Sequence, residues 1–161
     1  MPVLHLLCGK IAAGKSTLAQ SLADDPQTVL ISEDRWLAAL YGDQMADIAD
    51  YVRCSARLRA AIGGHVVDLL HQGLSVVLDF PANTPTLRGW MMELIRLSGA
   101  DHRLHLLDLP DAVCKQRLRL RNAAGGHDFS VTDAQYDAIT HHFSRPDPAE
   151  GFVVVQYGDS Q

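Results

Sequence analysis

An apolar run, Val3–Cys8, ends on the stretch GKIAAGKST, Gly9–Thr17, and a segment with Leu18 and Leu22 at helical spacing follows. The spacing G-x-x-x-x-G-K-[ST], from Gly9 to Ser16, constrains the fold more than any other feature. A buried strand must deliver the chain to the loop, and a helix must carry it away. Glycine lets the backbone close around an anionic oxygen with no Cβ in the way. Inward-facing amides then form a nest, and the helix adds its positive N-terminal end. This is a P-loop. We expect Gly9, Ala12, Ala13, Gly14, Lys15, Ser16 and Thr17 to line nucleotide phosphates. In this reading Lys15 neutralises the β- and γ-phosphates, and Ser16 presents its hydroxyl to Mg²⁺.

The rest of the chain alternates in the same way. Residues 28–32, 75–80, 103–109 and 152–157 read as further strands, each a short apolar run rich in β-branched residues or leucine. Between them, apolar residues recur at helical spacing over 33–71, with Gly63-Gly64 marking either a kink or a close approach. A helix is predicted after Thr84 as N-cap with Pro85 at its first position. Another follows Pro110, and a last one spans 132–143, capped at Thr132. Strands alternating with helices predict an α/β fold with a mostly parallel sheet covered on both faces. With no repeat, linker or composition break, residues 1–161 read as a single domain.

Further residues extend the chemistry. GTPases usually read guanine through N/T-K-x-D after a later strand, and that tetrapeptide does not occur, which favours ATP. Asp79 ends the strand SVVLDF, where a carboxylate can hold Mg²⁺ through water. Phe80 follows it rather than a second acid, which leans toward transfer over plain hydrolysis. Asp34, at the end of the strand in ISEDRW, can take a proton from an attacking hydroxyl, and Glu33 is the lesser candidate. Both acids also suit the first turn of a helix capped by Ser32. In KQRLRLR, Arg117 and Arg121 share one helical face and could clamp phosphates, while Lys115 and Arg119 face the surface. The loop NAAGGHD after them suits a lid that shuts out water, with His127 within it.

Weaker candidates are Asn83 and Arg88 as acceptor contacts, and Arg53 with Arg57 toward an anionic substrate. His102, His105, His141 and His142 lack a partner set with metal spacing and read as structural. The 161 residues are 47% hydrophobic and 20% charged, with net charge -5. An acidic chain is a poor non-specific partner for nucleic acid. Cys8, Cys54 and Cys114 are widely separated and read as small buried hydrophobes, which fits a reducing, cytoplasmic setting. No stretch resembles a signal peptide or approaches a membrane span.

Taken together, GKIAAGKST, the acid in ISEDRW, VVLDF and RLRLRNAAGGHD resemble the small P-loop kinases. The resemblance is nearest to the AAA-type predicted kinases related to zeta-toxin-like and polynucleotide-kinase-like enzymes. It implies a three-layer fold with a five-stranded parallel sheet in the order 2-3-1-4-5 and a lid. It implies ATP and Mg²⁺, with Asp34 as the acid after the second strand and Arg117 and Arg121 as lid arginines. It also sets RPDPAEG, 145–151, near adenine. Relatives often place proline or glycine where this loop has Lys10-Ile11-Ala12-Ala13. Polynucleotide kinases carry a second acid and an arginine where Arg35-Trp36-Leu37 stand here, which weighs against a nucleic-acid 5′-hydroxyl. The expected function is transfer of the γ-phosphoryl group of ATP to a small hydroxylated or anionic acceptor, by a monomer or dimer. A 5′-hydroxyl nucleic-acid kinase and a nucleotide-gated interaction module are the alternatives.

Overall fold

The computed structural model describes residues 1–125 and 130–158. Among these, five strands form one parallel sheet in the order β2-β3-β1-β4-β5. They are β1 (Val3–Gly9), β2 (Thr28–Ser32), β3 (Ser75–Pro81), β4 (Asp101–Asp108) and β5 (Val154–Gly158). The helices are α1 (Lys15–Ala23), α2 (Glu33–Tyr41), α3 (Ile48–His71), α4 (Pro85–Ser98), α5 (Asp111–Ala124) and α6 (Asp133–Thr140). Strand order and fold class are as the resemblance implied.

Alternation along the strands divides the core into two layers. Leu4, Leu6, Cys8, Val76, Leu78, Phe80, Leu104 and Leu106 point to one face and pack with Leu37 of α2, Leu58, Ile62 and Val66 of α3, and Met91 and Leu94 of α4. Leu7 and Val77 point to the other, under Ala19 of α1. Ala13, Cys114, Leu118 and Tyr136 form a smaller cluster that seats α5 and α6 beside the loop after β1. All three cysteines are buried thiols, as their spacing suggested.

The helical pattern over 33–71 is two helices rather than one. α2 ends at Gly42, where a Cβ would lie 2.5 Å from the Ala38 carbonyl oxygen. α3 restarts at Asp47, whose Oδ1 accepts from the Asp50 amide at 2.8 Å. The Gly63-Gly64 pair does not break α3. A Cβ on Gly63 would sit 3.4 Å from both Leu94 and the Trp90 indole nitrogen, so the glycine admits α4 closely. The last helix is shorter than predicted, ending at Thr140, and its capping box joins Thr132 and Gln135.

Arg88 departs most from its sequence reading. It is neither at the surface nor open to an acceptor, being 1% exposed. Its Nε and Nη2 reach the Glu150 carboxylate at 2.6 and 3.2 Å. Its remaining donors bind Ala82 O at 3.0 Å, Ser144 O at 2.8 Å, Ser144 Oγ at 2.9 Å and Arg145 O at 3.3 Å. One guanidinium thus fastens the 144–150 segment to the chain leaving β3. Arg88→Met leaves the buried Ala82 carbonyl and the partly exposed Glu150 carboxylate without their donor, which costs about 1–3 kcal/mol. Denaturant unfolding should show a loss of that size, and a loss below about 1 kcal/mol would contradict the role.

Candidate active site

β1 ends at Gly9, and the loop Lys10–Gly14 leads into α1. Asn83 continues the sheet ladder with its side chain. Its Oδ1 accepts from Gly9 N at 2.9 Å, and its Nδ2 donates to Gly9 O at 2.8 Å. Asn83 therefore shapes the loop rather than meeting an acceptor. Gly9 is tightly enclosed, since a Cβ there would lie 3.0 Å from Leu107 O and 3.3 Å from the Ala13 methyl. Gly14 and Ala12 both take positive φ, at 103° and 62°. Ala12 thus adopts a left-handed conformation that glycine reaches without strain.

The head of α1 fits an anion. Its N-cap, Gly14, supplies no side-chain cap, and the first turn carries no acidic residue. First-turn amides have no partner within their own helix, and the dipole favours negative charge there. The Lys15 ammonium curls over the loop and donates to Gly9 O at 2.5 Å and Lys10 O at 3.0 Å. Burial lowers its pKa, and Asp79 is the foremost of the charges that oppose the shift, with Asp34 also contributing. Lys10 lies outside the loop's grip. It pairs with Asp111 at 2.9 Å and ties the loop to the start of α5.

Ser16 and Asp79 come together as predicted, with Ser16 Oγ donating to Asp79 Oδ2 at 2.9 Å. A hydroxyl and a carboxylate are hard oxygen donors, and Mg²⁺ takes only one or two protein ligands beside waters and phosphate oxygens. This pair fits that ion. Burial raises the Asp79 pKa, while the Ser16 hydrogen bond and Lys15 act to lower it. Among the described residues, no group of three or more His, Cys, Asp or Glu side chains forms a metal cluster.

The third corner is the head of α2. Ser32, paired in register with Asp79, caps the helix by accepting from Arg35 N at 3.3 Å. Asp34 stands exposed in that first turn, and its charge acts on both Lys15 and Arg121. Glu33 points the other way, into the protein, and is 2% exposed. Its Oε1 accepts from Tyr51 OH at 2.5 Å and its Oε2 from Ser55 Oγ at 2.7 Å. Burial lifts its carboxyl to about 7 despite those bonds and the Arg59 charge. Tyr51, Ser55 and Arg59 escaped the sequence reading. Their i, i+4, i+8 spacing on α3 is a polar stripe beside the apolar Cys54-Leu58-Ile62 stripe, and that was the available signal.

α5 brings its arginines to the loop. Arg117 Nη1 lies 3.7 Å from where a Gly14 Cβ would stand. Arg121 is one turn further on, its Nε buried with no hydrogen-bond partner among the described residues. Burial lowers its pKa and Asp34 opposes the shift. Lys115 and Arg119 instead hold α6, through Asp137 at 2.9 Å and Asp133 at 2.5 Å. Of the lid loop, residues 126–129, including His127, lie outside the described residues. Arg53 pairs with Asp50 on its own helix at 2.9 Å, away from the acceptor role considered for it. His105 bridges His5 and Tyr157 at 2.9 Å each, and His102 Nε2 accepts from Val153 N at 3.0 Å, both structural uses.

A family model described as AAA domain matches residues 4–146. No curated protein matches the sequence. Solved structures of similar fold include a provisionally assigned kinase from Chloroflexus aurantiacus J-10-fl, with TM-score 0.77 and 19% identity, covering 98% of this chain and 85% of that one. Kti12 of Chaetomium thermophilum, in complex with ADP-AlF3, has TM-score 0.70 and 13% identity, covering 97% and 89%. The APS kinase CysC of Mycobacterium tuberculosis, in complex with AMPPNP and APS, has TM-score 0.62 and 18% identity, covering 99% and 90%. Among the described residues, no helix is long and apolar enough to cross a membrane.

The two positive-φ positions separate by substitution. Ala12→Gly relieves about 1–2 kcal/mol of left-handed strain and returns about 0.4–1 kcal/mol in unfolded-chain entropy. Its stability should equal or slightly exceed that of the parent. Gly14→Ala puts a Cβ at φ 103° beside Leu107 and Arg117 and should lose both stability and nucleotide affinity. Paired thermal melts with and without ATP check both, and a Gly14→Ala protein stabilised by ATP like the parent would contradict the loop assignment.

Proposed function

The chain belongs to the AAA domain family that it matches over residues 4–146, and we propose that it is a Mg²⁺-dependent ATP kinase acting on a small hydroxylated acceptor. The observation that carries this reading is the convergence of Lys15, the Ser16–Asp79 pair and Asp34 at the C-terminal ends of β1, β2 and β3. In an α/β sheet that edge, beside the point where strand order reverses, is where ligands sit. A small acceptor, as in the complex of the APS kinase with APS, suits this edge better than a polymer, and the net charge of -5 agrees.

The residues divide the work. Amides of the loop after Gly9 and the head of α1 bind the phosphate tail, and Lys15 neutralises its β- and γ-phosphates. Ser16 and Asp79 would hold Mg²⁺, which supplies charge neutralisation across the phosphates. Asp34 orients the acceptor hydroxyl and takes its proton as the oxygen bonds to the γ-phosphorus. The bond from that phosphorus to the bridging oxygen breaks, and the electron pair leaves with ADP. Arg117, beside the loop, and Arg121, facing Asp34, stabilise charge on the moving phosphoryl group. The protein's reach for ATP over GTP rests on the missing guanine-reading tetrapeptide.

Incubation with γ-labelled ATP and a panel of sugars, polyols, nucleosides and 5′-hydroxyl oligonucleotides should label a small acceptor. Labelling of the oligonucleotide alone would overturn the proposal. Asp34→Asn should lower transfer about 10²–10⁴-fold while ATP affinity stays within a few-fold, because general-base assistance is of that size. Transfer at the parental rate would remove Asp34 from the chemistry.

A further inference from the structure

The Glu33 carboxylate is buried under the site, one residue from the proposed base, and phosphoryl transfer as described makes no use of it. Burying an ionisable acid is costly unless its oxygens find donors. Here both do. Tyr51 OH donates to one oxygen at 2.5 Å and Ser55 Oγ to the other at 2.7 Å. Ser55 Oγ in turn accepts from Arg59 Nη1 at 2.8 Å. The hydroxyl of Ser55 is thereby polarised toward the carboxylate, and a positive charge is relayed to it without contact. All three partners lie on one stripe of α3, whereas Glu33 opens α2.

From this arrangement we infer that Glu33 is a positioning residue: its forked bonds to Tyr51 and Ser55 fix the first turn of α2 against α3 and so hold Asp34 at the phosphate site. The inference rests on the reading of Asp34 as the base. The same turn is capped by Ser32, which accepts from Arg35 N at 3.3 Å, and Leu37 in the next turn is packed in the core. A carboxylate accepts at both oxygens, so it fixes two directions at once. An amide accepts at only one.

The anchor also has an electrostatic signature. The charged and titratable groups that bear on Glu33 are Asp34 on its own helix and Tyr51 and Arg59 on α3. Asp79, at the end of β3, takes its charge interactions from Lys15 and Arg35. Burial holds the Glu33 carboxyl at about 7, above its unfolded value. The folded state therefore binds the extra proton, and the stability this gives is lost as pH rises toward 7. At pH 8 the ionised side chain is a cost that glutamine removes. A residue kept only for stability would behave in the opposite way.

Basal Mg²⁺-ATP hydrolysis, with water as acceptor, and fluorine NMR of 5-fluorotryptophan at Trp36, one turn along α2, test this on the full chain. Glu33→Gln should hydrolyse ATP at least tenfold more slowly than the parent, and Asp34→Asn should do the same. The double variant should lose no more than either alone, because both changes act through one group. Its ATP affinity should stay within about twofold, and its melting temperature at pH 8 should not fall. The Trp36 resonance should titrate near pH 7 in the parent and in Asp34→Asn, and not in Glu33→Gln. Tyr51→Phe, which removes a donor to the anion, should move that midpoint to higher pH. Parental hydrolysis in Glu33→Gln beside an impaired Asp34→Asn would overturn the inference. So would a Trp36 titration that survives in Glu33→Gln. Parental hydrolysis in Asp34→Asn would instead overturn the base reading, and the Trp36 titration still decides the anchor because it needs no turnover.

Discussion

The backbone of Gly9 carries hydrogen bonds from three directions, and the site is organised around them. Its amide donates to the Asn83 side chain, and its carbonyl accepts from Asn83 and from the Lys15 ammonium. The central strand is thereby extended past β3's ladder by an amide side chain acting as a further rung. Leu107 closes the remaining side so tightly that any Cβ would press on its carbonyl. Because β1 is the middle strand, fixing its end fixes the loop, the head of α1 and the position of the Lys15 ammonium.

Around that point the fold concentrates charge where water is partly excluded. Lys15, Arg121, Asp79 and Glu33 all have pKa values displaced by burial, and each shift is opposed by a neighbour: Asp79 for Lys15, Asp34 for Arg121, Ser16 for Asp79 and Tyr51 for Glu33. Such displacement marks sites where ionisation state matters to chemistry. Elsewhere the buried charge is paired: Arg88 with Glu150 is a fastening, with every bond but the one to Ala82 O directed at the 144–150 segment it holds. Arg88 has six acceptor contacts, whereas the Arg121 Nε has no hydrogen-bond partner among the described residues, and that contrast supports proposing Arg121, not Arg88, for phosphate.

The sheet was legible in the sequence because buried parallel strands are short apolar runs, and the loop because its glycines and lysine have fixed spacing. Ser16 was found through the spacing of the loop and Asp79 through the end of its strand, and the pair indeed meets. What stayed hidden depends on three-dimensional direction. Asn83 and Arg88 looked like acceptor contacts since both follow β3, but one turns back to Gly9 and the other inward to Ser144 and Glu150. Glu33 and Asp34 are adjacent acids, and only the helix start at Glu33 sends one into the core and the other to the site.

The central claim is that one ammonium and a nest of amides hold a polyphosphate. Calorimetric titration of Mg²⁺-ATP into Lys15→Ala, with folding verified by its parental circular dichroism and cooperative melt, tests it most directly. The account predicts that binding weakens at least tenfold, with the heat of phosphate contact largely lost. An affinity equal to that of the parent would contradict it.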